Sequence, residues 1–97
     1  MWSIAIMSPQ PDIMSKLLNY LKMRKYKNIS ANYTSEEITA EHKRSLFTKN
    51  NKYRFNIIYV NESVTKIVIK VNPQKDHPTH YDLNKEITLA ERIYSYL

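Results

Sequence analysis

The sequence predicts a single two-layer α+β domain: an antiparallel meander sheet of four or five strands with two helices packed on one face, in the order (β)αββββα. Three observations predict it. Apolar residues recur at three- and four-residue spacing near both ends of the chain, and the period falls to two between residues 27 and 71. The length, 97 residues, supplies core for one domain only, 1–97. Two helix stripes and one apolar sheet face bury each other most simply when both helices lie on the same side. The other sheet face is then open.

The opening WSIAIM reads as a short strand with Trp2, Ile4 and Ile6 on one face. A helix follows, with Ser8 placed to cap it, Pro9 and Pro11 tolerated in its first turn, and Asp12 suited to the positive end of its dipole. Its stripe is Ile13, Met14, Leu17, Leu18 and Leu21, and Lys22, Arg24 and Lys25 complement the C-terminal carbonyls.

Residues 27–33 and 36–44 alternate as strands joined through Thr34, Ser35 and Glu36. The chain contains no glycine, so positive φ falls to Asn or another residue at some steric cost. Asn50 and Asn51 are therefore expected to turn the chain into the next strand, which would set His42 opposite Tyr59. In YRFNIIYVNESVTKIVIKV, residues 53–71, a loop at Asn61, Glu62 and Ser63 opposes Ile57 to Ile67, Phe55 to Ile69 and Tyr53 to Val71. A shift by one would set Phe55 against Lys70 and Tyr59 against Lys66, burying charge or exposing the ring. The last helix takes Asp82 as its cap and Leu83, Ile87, Ala90, Ile93, Tyr94 and Leu97 as its stripe.

Composition excludes several function classes. With no cysteine there is no disulfide, zinc knuckle, iron–sulfur cluster or thiol nucleophile, and with no glycine no glycine-rich phosphate loop. The first residues are too short an apolar run, without a basic flank, for a signal peptide or a membrane span. A cytoplasmic protein with no membrane partner and no cofactor is expected. Richness in Ile, Lys, Asn and Tyr is the mark of an AT-biased coding sequence, compatible with a viral or mobile-element source.

Charge is concentrated. Residues 16–70 hold 12 of the 15 Lys and Arg but only Glu36, Glu37, Glu41 and Glu62, a local surplus of +8 within a net charge of +6. The open sheet face would carry Arg54, Lys66 and Lys70, with Arg54 facing Lys70 as a like-charge pair. With Lys22, Arg24, Lys25, Lys27 and Lys52 these form a candidate basic surface for nucleic acid or an acidic protein, and Tyr26 within KMRKYK is a candidate stacking ring. Solvated lysine stems over valines are the plainer explanation of the same face. Ile58, Val60, Val64 and Val68 on that face form a candidate self-association patch, and open sheet edges offer a second route to a homodimer.

The chemistry-bearing candidates are sparse. His77 and His80, near Asp76 and Asp82, have weak metal-ligand spacing, split by Pro78. His42, alternating onto one face with Ile38, Ala40 and Arg44, could join Glu41 or Glu91 in acid–base work, but no nucleophile stands in a recognisable setting. The expectation is a small, basic, non-enzymatic accessory protein that acts by binding, as a homodimer or interaction module; sequence-nonspecific nucleic-acid binding is the alternative.

Overall fold

A computed structural model of the chain describes residues 2–8, 10–42, 50–75, 77 and 79–97. The elements run β1 (Trp2–Ile6), α1 (Gln10–Met23), β2 (Lys27–Asn32), β3 (Glu37–His42), β4 (Asn51–Asn61), β5 (Val64–Val71) and α2 (His80–Tyr96). The five strands form one antiparallel sheet in the order β1-β5-β4-β3-β2. Strands β2 to β5 are a meander, and α1 carries the chain across the sheet from one edge strand to the other. Both helices lie on the sheet, α1 over β4, β5 and β2, and α2 over β1 and β5. The α+β architecture is the one the sequence predicts, with five strands.

One face of every strand turns toward the helices. Ile57 pairs with Ile67, Phe55 with Ile69 and Tyr53 with Val71, the register expected from face matching, and all six side chains are buried. Ile13, Leu17 and Leu21 of α1 are fully buried against them, joined by Met14 and Tyr20. A fully buried side chain of this size stabilises the fold by about 1.5–3 kcal/mol.

The last helix is turned relative to the expected stripe. Its buried residues are Asp82, Glu86, Leu89, Ala90 and Ile93, while Leu83 and Tyr94 are exposed. The N-cap is Thr79, not Asp82: the Thr79 hydroxyl accepts from the Asp82 N–H, and the Asp82 carboxylate accepts from the Thr79 N–H in a reciprocal capping box. The carboxylates at 82 and 86 face inward because the end of β5 presents donors to them. Glu86 Oε2 accepts from the Val71 N–H at 3.0 Å, and Asp82 Oδ1 accepts from Asn72 Nδ2 at 2.8 Å. The expected cap of α1 at Ser8 precedes Pro9, which lies outside the described residues.

Asn51 is not a turn residue. It opens β4, pairs with His42 and is buried, so His42 faces Asn51 and not Tyr59, which pairs with Thr65 at the other end of the strand. The connection expected at Asn50, and Arg44 with it, falls largely in 43–49, outside the described residues. Among the described residues positive φ is taken by Lys25 (62°), Asn28 (52°), Glu36 (56°) and Asn72 (51°). Two of the four are asparagines, the residues that tolerate it best; Lys25 and Glu36 bear a cost of roughly 1–2 kcal/mol each.

Candidate functional site

Where α1 ends, the chain turns back through Lys25 and enters β2, and this reversal brings KMRKYK beside α2. A cavity of about 430 Å³ opens there, lined from α1 and its exit by Tyr20, Met23, Arg24, Lys25 and Tyr26, from β3 and β4 by His42 and Tyr53, and from α2 by Lys85, Thr88, Leu89 and Arg92. Among the described residues four cationic side chains line it and no carboxylate does. Its size lies within the range of small-molecule sites, about 300–1,000 Å³.

The aromatic wall is built by the sheet register. Pairing of His42 with Asn51 and of Ala40 with Tyr53 places His42 and Tyr53 on the helix-facing side at the start of the β3–β4 ladder, where Tyr26 packs on both. Tyr26 and His42 stack at 4.3 Å between centroids and 17° between planes, and Tyr26 meets Tyr53 edge-on at 5.4 Å. Arg24 lies 5.9 Å over the Tyr20 ring, and Lys85 6.0 Å over that of Tyr81.

Electrostatics follow from this packing. Burial lowers the His42 pKa from its ordinary value, the surrounding Lys85, Arg24 and Arg92 lower it further, and a hydrogen bond to the Arg24 backbone opposes them. The ring is therefore neutral at pH 7. Burial, with the neighbouring Tyr53 and Tyr20, pushes the Tyr26 hydroxyl far above its ordinary value, so it stays protonated. Burial likewise raises Tyr53. The site is cationic at its rim, aromatic in its wall and suited to an anion carrying a ring.

The start of α2, which carries two of these cations, is held by a partly buried polar network. Asn51 Nδ2 donates to the Tyr81 hydroxyl at 2.9 Å, Asn72 Nδ2 donates to Asn51 Oδ1 at 3.1 Å, and Lys75 Nζ donates to Asp82 Oδ2 at 3.1 Å. Together with the Asn72–Asp82 bond these fix where α2 starts, and so the azimuth at which Lys85 and Arg92 project.

The basic residues named from the sequence divide between two faces. Arg24 and Lys25 reach the cavity, with Tyr26 as the anticipated ring. Lys22 lies in the last turn of α1 and does not line it. Lys27, Lys52, Arg54, Lys66 and Lys70 lie on the open sheet face, and Arg54 does oppose Lys70. That face is less basic than expected, because β3 contributes Glu37 and Glu41 to it. Arg54 Nε lies 3.6 Å from Glu37 Oε1, and Glu41 accepts from Asn28 Nδ2 at 2.6 Å.

In the proposed apolar patch Val68 is already covered, at 8% exposure, and Val64 is half-buried, while Ile58 (42%) and Val60 (50%) are exposed near the hairpin tip together with Tyr59. His77 and His80 are both exposed, Asp82 is committed to Thr79, Asn72 and Lys75, and Asp76 is outside the described residues. Among the described residues no three His, Cys, Asp or Glu side chains gather as metal ligands. Glu41 points to the open face and Glu91 is not among the cavity's lining residues, so neither expected carboxylate stands in the site with His42. Lys85, Arg92, Tyr20 and Tyr53 were not anticipated; the seven-residue spacing of Lys85 and Arg92, two turns along one helix face, was the available signal.

Among the described residues no helix is long and apolar enough to cross a membrane. The chain matches no protein-family model, and no curated protein matches it in sequence.

Proposed function

We propose that the protein acts by binding nucleic acid, without catalysing a reaction and without reading base sequence. One observation carries this reading: Arg24, Lys25, Lys85 and Arg92 converge on a cavity with aromatic walls and, among the described residues, no carboxylate in its lining. Clustered cations repel one another and are stabilised by a partner that brings anions, and phosphates attract them without any sequence motif. The net charge of +6 supplies long-range steering toward such a partner, and Lys27, Lys52, Lys66 and Lys70 on the opposite face give a weaker second surface. In this reading the protein works in the cytoplasm.

The test is salt dependence. If the four cations each displace a counterion from a single strand, log K falls with log salt at a slope of about −3. Arg24→Ala with Arg92→Ala should flatten that slope by about 1.4, and Lys66→Ala with Lys70→Ala should change it less. Absence of any shift of DNA or RNA at about 20 mM salt would remove the function. An acidic protein would use the same cations, and is favoured instead if polyglutamate binds where nucleic acid does not.

A second reading, a homodimer, is favoured by exposed Ile58, Tyr59 and Val60 at the end of the long hairpin. A stable dimer needs roughly 1,000 Å² of buried surface in total. Light scattering that gives a monomer at high micromolar concentration would exclude it.

A further inference from the structure

We infer that the cavity between α1 and α2 holds one unpaired nucleotide, its base against the Tyr26–His42 stack and its phosphate among Arg24, Lys85 and Arg92; the partner class is then single-stranded nucleic acid. This rests on the nucleic-acid reading above for the partner, although the cavity itself could also take a free mononucleotide of the same chemistry.

Three features of the site carry the inference. The rings at 4.3 Å and 17° form a parallel stack in the lining of the cavity, and stacking of a base on such rings is indifferent to base identity. The cations come from the turn after α1 and from α2 and line the same recess as that wall, so one ligand meets ring and charge together. The cavity is a recess between elements and not a flat face. A base in a duplex is stacked on both sides and hydrogen-bonded along its edge, so it enters such a recess only after leaving the helix, which an unpaired base does at little cost. His42, neutral at pH 7, can meet an uncharged base without adding a desolvated cation to the wall.

The experiment uses the whole chain at fixed low salt and fluorescence anisotropy with three probes: a labelled oligouridine of about twelve nucleotides, a duplex of equal length, and unlabelled uridine monophosphate or inorganic phosphate as competitor. The single strand is expected to bind about tenfold more tightly than the duplex, the size of one base stack. Lys85→Ala with Arg92→Ala should weaken the single strand about tenfold and the duplex by less than about threefold, with Lys16→Ala as an exposed control outside the cavity. Uridine monophosphate should shift the His42 ring resonances and compete better than phosphate at equal concentration.

Equal affinity for strand and duplex, with the double variant weakening both alike, would overturn the inference and leave general nucleic-acid binding standing. Competition by phosphate as strong as that by uridine monophosphate would also overturn it, by leaving no role for the base. If uridine monophosphate shifts His42 but neither nucleic acid binds, the nucleotide site stands and the nucleic-acid function falls. Silence from all probes removes both. Circular dichroism of each variant separates lost binding from lost folding.

Discussion

Asn72 Nδ2 donates to Asp82 Oδ1 at 2.8 Å in the protein interior, and this bond ties the residue after β5 to the first turn of α2. Burial alone would raise the Asp82 pKa, but bonds from the Thr79 backbone, Asn72, Lys75 and the Thr79 hydroxyl outweigh it and hold the carboxyl at about 2, below its ordinary 3.8. The unfolded chain therefore binds this proton first. The stabilisation is complete above pH 3.8, is lost as pH falls toward 2, and amounts to about 2 kcal/mol. Urea titrations across this window should show the loss in the native sequence, and a smaller one in Asp82→Asn, whose stability at neutral pH should be lower by at least about 2 kcal/mol. An Asp82→Asn profile with the same acid-dependent loss would place it on another group.

Glycine should act with opposite signs at two left-handed positions. Glu36 (φ 56°) contributes its carbonyl, which accepts from the Ile57 N–H and is kept by any residue, so Glu36→Gly removes strain and should raise stability by about 0.5 kcal/mol after the entropy of the unfolded glycine is counted. Asn72 (φ 51°) also bonds Asn51, Asp82 and the Lys52 N–H through its side chain. Asn72→Gly should therefore lower stability by about 2 kcal/mol despite its freer backbone. Thermal melts of the two variants moving in the same direction would refute the argument.

Legibility of the sequence ended where partners became long-range. Face matching in 53–71 was enough to place Phe55 on Ile69, because a one-residue slip exposes a whole apolar face. The rotation of α2 was not legible, since Asp82 and Glu86 are polar letters whose inward turn depends on donors at Asn72 and Val71. The same holds for the cavity. Arg24, Lys25 and Tyr26 form a visible knot in the sequence, but Lys85 and Arg92 join them only through the packing of α2. Glu37 and Glu41 were likewise read on their own strand, and dilute the basic face only once β3 is set beside β4.

Acidification should move binding and stability in opposite directions through His42. Burial and then the nearby cations depress its folded-state pKa below the ordinary 6.5, so on acidification the unfolded chain takes up the proton first and the free protein loses stability as pH falls below 6.5. A phosphate in the cavity favours the charged ring, so the complex binds more protons than the free protein and affinity rises over the same fall in pH. Anisotropy titrations between pH 7.5 and pH 5 should show tightening in the native sequence and none from this source in His42→Gln. Weaker binding at the lower pH would contradict the placement of phosphate among Arg24, Lys85 and Arg92, the cations whose charge acts on His42.

The two basic faces can be separated by one lysine. Lys70 sits directly opposite Arg54 on neighbouring strands, a like-charge pair, and Arg54 is only partly compensated by Glu37 at 3.6 Å. Replacing Lys70 by threonine removes the repulsion, keeps a good strand former, and should raise stability by about 0.2–1 kcal/mol at low salt. The gain should shrink in about 1 M salt, where the screening length falls to about 3 Å. If nucleic acid is held at the cavity on the other side of the sheet, Lys70→Thr should change affinity by less than about threefold at low salt, one phosphate contact at most. A loss of tenfold or more would move the binding site to the open face, where Lys70 would be holding phosphate at the expense of stability.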